Sequence, residues 1–291
     1  MSERARLGFV GLGLMGAPMT RRLMSQGWQV TAWNREPERY AEVPGIHIAE
    51  GPAAVREASD IIFMCVLDAK AVEECCFGER GFSKARNGAS LLVDTSTINP
   101  DRTREFAQRL RQEANMRWID APMSGGPPLA ATGGLTMMIG GDDADIAQAR
   151  PALADLAGNL THLGPVGAGQ TAKIINQAIV GVSYMLMAEV LALAEGAGLQ
   201  ATSIPSALAG GLADSAALQR LYPQMAARDY ANPKAYARQL DKDLLNVSAF
   251  VRECGLELPL MEHAVQRYHS YAKDHPMDES AAVALMYERK K

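Results

Sequence analysis

Three groups of residues have types and spacings suited to chemistry. Lys173, Asn176 and Gln177 stand at i, i+3 and i+4 in a strongly apolar stretch, so a helix there turns all three polar groups to one face. That face continues as Val180 and Tyr184, apolar enough to pack, so a lysine and two amides on it need a purpose. A positioned amine suits acid–base work: protonated it donates to an oxygen, neutral it accepts a proton. The sequence places Lys173 in the first turn of its helix, where the dipole disfavours positive charge and lowers the lysine pKa. The second group is Gly11-Leu12-Gly13-Leu14-Met15-Gly16, between a strand and a helix. In it Gly11 permits a tight turn, Gly13 lets backbone approach a pyrophosphate, and Gly16 allows close helix–sheet packing. The helix start then offers N–H groups and a positive dipole end to phosphates. In the third group, Ser124-Gly125-Gly126, a hydroxyl and side-chain-free N–H groups can face a carboxylate.

The strand after the glycine turn runs Val30-Thr31-Ala32-Trp33 and ends in Asn34-Arg35. An acidic residue at this point would accept hydrogen bonds from the adenine ribose of NAD and repel a 2′-phosphate. Asn34 removes that acid, and Arg35 supplies a guanidinium able to grip a phosphate with two donors. NADP(H) is therefore favoured over NAD(H). The competing possibility is a solvated Arg35, with Glu36 or Glu38 serving NAD.

These groups need elements to hold them. Short apolar runs alternate with amphipathic stretches over residues 1–163, which predicts a parallel α/β sheet. Strands are predicted over 7–10, 29–33, 61–66 and 90–93, and weaker ones over 118–120, 135–139 and 159–162. Helical patterns cover 18–25, 69–76 and 101–114, the last opened by Pro100-Asp101, a favourable first turn. After the glycine-rich stretch 164–169 the rhythm becomes purely helical. A helix over 170–196, about 40 Å long, leads into further helices over 204–209, 214–225, 236–252 and 260–273. The expected fold class is an α/β Rossmann-type dinucleotide-binding domain (1–163) followed by an all-α C-terminal domain (164–291) with a long interdomain helix.

The chain's 291 residues, 48% hydrophobic and 21% charged, exclude collagen-like, disordered and coiled-coil chains. Acidic residues (33) outnumber Lys and Arg (29) with no long basic run, which argues against a nucleic-acid binder, since such a protein needs a basic surface to displace counterions. The longest apolar stretches are interrupted by Lys173, Asn176, Gln177 and Glu189, so none reads as a membrane span. The N-terminus runs straight into a strand, leaving no room for a signal peptide. Cys65, Cys75, Cys76 and Cys254 form no Cys-x-x-Cys pair, which argues against a zinc site or any other metal site and for a reduced, cytoplasmic protein. The adjacent Cys75 and Cys76 read as buried helix filler, and the 15 methionines as adaptable core packing.

The stretch from Gly8 through Gly11-Leu12-Gly13-Leu14-Met15-Gly16 to Met19 resembles the opening of the β-hydroxyacid dehydrogenase family, and three further blocks match in order. They are Asp94-Thr95-Ser96-Thr97, Asp120-Ala121-Pro122-Met123-Ser124-Gly125-Gly126, and Gly167-Ala168-Gly169-Gln170-Thr171-Ala172-Lys173-Ile174-Ile175-Asn176-Gln177. The resemblance implies that Lys173 is catalytic and that Ser124, Gly125, Gly126, Asn176 and Gln177 bind substrate. It also implies that Thr97 meets the nicotinamide half of the cofactor, with Val66 and Leu67 among the cofactor contacts. Lys242-Asp243-Leu244 matches a later block whose lysine, here Lys242, touches the cofactor. The chain departs from the family at Pro127-Pro128-Leu129-Ala130 and Gly133-Gly134-Leu135. It also has Ala235 and Arg238 where relatives tend to carry Phe and Asp; a solvated helix position is the favoured reading of Arg238.

Within the family, the Lys173–Gln177 string, the 210–213 segment and the Asp278-Glu279-Ser280-Ala281 ending look most like tartronate semialdehyde reductases. The implied activity is hydride transfer between NADP(H) and a small 3-hydroxy acid or its semialdehyde, an anionic substrate, in a homodimer or homotetramer. The competing readings are a 3-hydroxyisobutyrate dehydrogenase or another semialdehyde or glyoxylate reductase, an imine reductase, and a non-catalytic NADP-binding protein. Imine reductases usually replace the lysine by Asp or Tyr, so Lys173 argues against that reading.

Overall fold

A computed structural model describes residues 4–233 and 235–288. Among the described residues, nine strands form one sheet: β1 (Leu7–Val10), β2 (Val30–Trp33), β3 (His47–Ile48), β4 (Ile61–Met64), β5 (Leu91–Asp94), β6 (Arg117–Asp120), β7 (Met123–Ser124), β8 (Leu135–Gly140) and β9 (Ala157–Gly164). The order is 3-2-1-4-5-6-8-7, with β9 on β8. Strands β1 to β6 pair in parallel, the arrangement of a doubly wound dinucleotide fold. By contrast, β8 runs antiparallel to β6 and β7.

The central strands β1, β4 and β5 are buried along their length, hence their unbroken apolar sequences. Their side chains alternate between two cores. Leu7, Phe9, Ile61, Phe63, Leu91 and Val93 face one; Val10, Ile62, Met64 and Leu92 face the other. The first core is covered by α1 (Gly16–Ser25) and α6 (Asp143–Leu156), the second by α2 (Pro52–Glu57), α3 (Ala69–Phe77) and α4 (Pro100–Ala114). Cys75 and Cys76 are buried in α3. Asn99, whose side chain accepts the amides of Asp101 and Arg102, caps α4 just ahead of Pro100.

Helix α5 (Gly126–Thr132) occupies the Pro127-Pro128 stretch, where the prolines sit in the first turn and their missing N–H groups are not required.

The remaining helices are α7 (Ala168–Gly196), α8 (Ile204–Leu208), α9 (Tyr222–Ala226), α10 (Ala237–Glu253) and α11 (Pro259–Ala272). The helix predicted over 214–225 is present as one continuous run over 216–226, with a π-helical turn, Ala217–Leu221, leading into α9, where Pro223 sits in the first turn. Compactness divides the chain after Lys173, inside α7. The unit from Ile174 onward is helical, around Met185, Ala188, Leu191, Tyr222, Met225, Leu240, Leu244 and Tyr268. A Cβ on Gly181 would come within 2.2 Å of Leu244, so α7 and α10 cross closely there.

Helix α7 is long and apolar. By length and composition it would pass as membrane-crossing, yet 44% of its most apolar window is buried within the protein. Its inward face is a core face. Ile175, Ile179, Leu186 and Leu193 stay 51–71% exposed, and their spacing aligns them as one stripe.

Candidate active site

The strand order reverses between β1 and β4, and the glycine turn leaves β1 at this switch point. Gly11 has φ +96°, and a Cβ there would lie 2.2 Å from the Cys65 carbonyl at the end of β4. A Cβ on Gly16 would strike the Gly11 carbonyl, whereas one on Gly13 would meet nothing within 4 Å. The backbone is thus closed on its protein side and open at Gly13. Helix α1 starts with no side-chain cap and no acid in its first turn, leaving its positive end for a bound anion. This cradle fits a dinucleotide pyrophosphate. Leu12 is buried, Met15 is half-buried and Leu14 is exposed.

Asn34 is buried at the end of β2. Its Oδ1 accepts the Leu12 amide at 2.7 Å, and its Nδ2 donates to the Glu36 carbonyl and carboxylate. It therefore braces the glycine turn from within. Arg35 reaches into solvent and pairs with Glu36 at 2.7 Å. The Arg35 hydrogen bond holds the Glu36 carboxyl below its usual range, and the same bond raises the guanidinium.

Past β4, the Val66 amide donates to Ser96 Oγ at 3.0 Å; Val66 is half-buried and Leu67 exposed. Past β5, the Asp94 carboxylate accepts the Ser96 amide. Burial pushes Asp94 up to about 7, and its Oδ2 has no hydrogen-bond partner among the described residues. Thr97 lies between two residues gripped by Gln170, whose Nε2 donates to the Ser96 carbonyl (2.7 Å) and whose Oε1 accepts the Ile98 amide (3.2 Å).

Past β6, the Met123 carbonyl accepts from Lys173 Nζ at 2.8 Å. Lys173 is 8% exposed, and its ammonium is held one residue from Ser124-Gly125-Gly126. Gly125 and Gly126 have φ +133° and +72°, a region that glycine enters without strain. Gly125 is exposed, with Ser124 and Gly126 half-buried, so this backbone is accessible beside the lysine.

Helix α7 begins at Ala168, two residues earlier than predicted, so Lys173 falls in the second turn. The positive end of the helix is met by Asp120, whose Oδ1 accepts the Gly167 amide (2.7 Å) and Oδ2 the Gln170 amide (2.8 Å). The first-turn dipole argument therefore does not describe Lys173. Burial pushes the Asp120 carboxyl up, and those amides oppose the shift.

In the helical unit, Asn176 donates to Gln177 (2.8 Å), Gln177 to Asp243 (2.7 Å), and Lys242 pairs with Asp243 at 3.0 Å. Asp243 is the hub of this chain of contacts. Arg238 is exposed over the Tyr236 ring, in keeping with a solvated position.

The structure thus brings Lys173 beside Ser124-Gly125-Gly126 and joins Asn176, Gln177 and Lys242 through Asp243. Asp120 and Asp243 were given no role from sequence. The available signal for Asp120 was a carboxylate ending the apolar run Trp118-Ile119, where burial demands partners.

Residues 6–164 match the NAD binding domain of 6-phosphogluconate dehydrogenase, and residues 167–286 match the NAD-binding domain of NADP-dependent 3-hydroxyisobutyrate dehydrogenase. The chain is 35% identical over 285 residues to 2-hydroxy-3-oxopropionate reductase of Escherichia coli, covering 97% of each chain. It is 32% identical over 293 residues to a probable 3-hydroxyisobutyrate dehydrogenase of Mycobacterium tuberculosis, covering 97% of this chain and 98% of that one. A solved structure of Mycobacterium tuberculosis 3-hydroxyisobutyrate dehydrogenase with L-serine superposes with a TM-score of 0.89 at 29% identity, covering 99% of this chain and 100% of that one.

Proposed function

The chain belongs to the β-hydroxyacid dehydrogenase family of NAD(P)-dependent oxidoreductases, and we propose that it is an NADP-dependent reductase of a small semialdehyde, with tartronate semialdehyde (2-hydroxy-3-oxopropionate) the first candidate. The observation that carries this reading is Lys173 Nζ, buried and held 2.8 Å from the Met123 carbonyl beside Ser124-Gly125-Gly126.

The bound dinucleotide supplies the hydride. The turn Gly11–Gly16 and the open end of α1 hold its phosphates; Asn34 fixes that turn, and Arg35 takes the 2′-phosphate. Val66, Leu67, Thr97 and Lys242 complete the proposed cofactor set. Ser124, Gly125 and Gly126 bind the substrate carboxylate. Protonated Lys173 gives its proton to the aldehyde oxygen during reduction, and neutral Lys173 takes the hydroxyl proton during oxidation. Asn176, one turn along the same helix face, orients lysine and substrate, with Gln177 held behind it by Asp243.

Likeness over nearly the whole chain to the Escherichia coli reductase supports tartronate semialdehyde. The Mycobacterium tuberculosis likeness supports a second reading, 3-hydroxyisobutyrate dehydrogenase, on the same machinery. A panel of tartronate, methylmalonate and succinate semialdehydes and glyoxylate, each with NADPH and NADH, separates them. Highest kcat/KM for tartronate semialdehyde with NADPH is expected. Preference for methylmalonate semialdehyde selects the second reading, and turnover of none of them contradicts both.

The exposed stripe Ile175, Ile179, Leu186 and Leu193 is an apolar surface that a second copy of the chain would cover. We propose at least a dimer. Light scattering should give a multimeric mass that falls to the monomer in an Ile179→Glu/Leu186→Glu variant; a monomeric wild type contradicts the proposal.

A further inference from the structure

Asp120 and Met123 belong to one short segment, and each grips the start of α7. The Asp120 carboxylate, fully buried, takes the amides of Gly167 and Gln170 with its two oxygens. Three residues on, the Met123 carbonyl takes Lys173 Nζ. Ser124-Gly125-Gly126 follows directly. The substrate-binding stretch and the lysine are therefore fastened together at two points, one through the helix backbone and one through the ammonium.

Two glycines make room for the first fastening. A Cβ on Gly140, which pairs with Asp120 across β8, would lie 2.5 Å from Asp120 Oδ1. A Cβ on Gly169 would lie 2.5 Å from the Met138 carbonyl, 2.8 Å from the Asp120 carbonyl and 2.9 Å from Oδ2. The second glycine of the Gly167-Ala168-Gly169 stretch is thus demanded by the Met138 carbonyl and by the Asp120 carbonyl and carboxylate packed against it, not by the turn. The Gln170 side chain adds a third tie, to the Ser96–Ile98 turn.

Resting on the assignment of Lys173 as the acid–base group, we propose that Asp120 is a positioning residue for catalysis: it sets the phase and height of α7, so that the Lys173 ammonium meets a substrate held by Ser124-Gly125-Gly126. Asp94 is its register neighbour on β5. Displacement of a catalytic group by about 1 Å can cost on the order of a hundredfold in rate.

The test is Asp120→Asn, which keeps the shape but turns an NH2 donor toward one of the two amide donors. Gly169→Ala accompanies it, crowding the Asp120 carboxylate together with the Met138 and Asp120 carbonyls, without altering any charge. The readouts are kcat and KM, the pH profile of alcohol oxidation, NADPH affinity by fluorescence, and the thermal midpoint. For each folded variant the expected result is a kcat loss of about tenfold to a hundredfold, NADPH affinity within about twofold of wild type, and a displaced rising limb of the pH profile.

Wild-type kcat and pH limb in either folded variant would overturn the proposal. So would a loss of kcat matched by an equal loss of NADPH affinity with the pH limb unmoved, the mark of a merely structural role. Lys173→Ala, measured alongside, keeps the two levels apart. If it remains active, the acid–base assignment fails. If it is inactive while Asp120→Asn behaves as wild type, only the positioning role fails.

Discussion

Two glycine-bearing turns open two helices in this chain, and they are finished in opposite ways. The turn from Gly11 to Gly16 leads into α1, whose start has neither a side-chain cap nor an acid in its first turn, and Gly13 faces open space. The turn from Gly167 to Gly169 leads into α7, and there the buried carboxylate of Asp120 takes the amides of Gly167 and Gln170. An open helix end attracts a mobile anion; one already closed by a fixed anion becomes an anchored post. The first suits a ligand that must come and go, the second a side chain that must not move. A shared Gly-x-Gly spelling thus says only that backbone passes close to something. What lies opposite the glycine decides whether that neighbour is a ligand or the protein.

The comparison breaks most readily at Gly11. Gly11→Ala puts a Cβ into the Cys65 carbonyl at φ +96°. Backbone strain of about 1–3 kcal/mol adds to overpacking of about 1–3 kcal/mol, so about 4 kcal/mol of stability should go, with NADPH binding. A thermal midpoint and affinity near wild type would mean that the turn relaxes freely.

On the other side, Asp94 stands in register with Asp120. Burial raises it to about 7, against about 3.9 in the unfolded chain. Between these values the folded state holds a proton that the unfolded state has lost. This group's stabilisation is therefore complete below about pH 4 and declines as pH rises through 7. Asp94→Asn should flatten that slope, gaining up to about 4 kcal/mol at pH 8 relative to wild type. A melting profile with the same pH slope in both proteins would contradict it.

Smaller effects sharpen the cofactor side. Arg35→Ala should raise the KM for NADPH by about tenfold to a hundredfold and leave NADH nearly unchanged; equal losses for both would remove the basis for NADP preference. Because Glu36 holds Arg35 at 2.7 Å, a 2′-phosphate must share that guanidinium with a carboxylate. Glu36→Gln should therefore lower the KM for NADPH by about two- to fivefold, within the range of an exposed ion pair. An unchanged ratio of NADPH to NADH KM values would show that Glu36 has no part in selection.

Features written in neighbouring residues were legible in the sequence. Strand β1, the glycine turn and α1 follow from one another within about twenty positions, and the shared face of Lys173, Asn176 and Gln177 follows from helix spacing. Strands β3 and β7 were not legible, since two residues carry no periodicity and their pairing depends on neighbours. Helix α5 was hidden because Pro127-Pro128 reads as a loop until the helix start is known. The start of α7 was misplaced by two residues, and with it the relation of Lys173 to the dipole, because Asp120 lies 47 positions before Gly167. The Gln177–Asp243 bond spans 66 positions and was invisible for the same reason: no local pattern marks a contact made only by folding.

The central claim, that the open turn holds the cofactor while the closed turn holds the proton-transferring lysine, is tested most directly in Lys173→Ala. NADPH affinity and the pH profile of alcohol oxidation should be measured on the same preparation. Affinity close to wild type is expected, with kcat reduced by about 10²–10⁴-fold or more. The rise in oxidation rate with pH, which follows loss of the lysine proton, should disappear, and Lys173→Arg should not restore it, because guanidinium stays protonated. Near-normal turnover in Lys173→Ala with its rising limb intact would contradict the division of labour between the two turns.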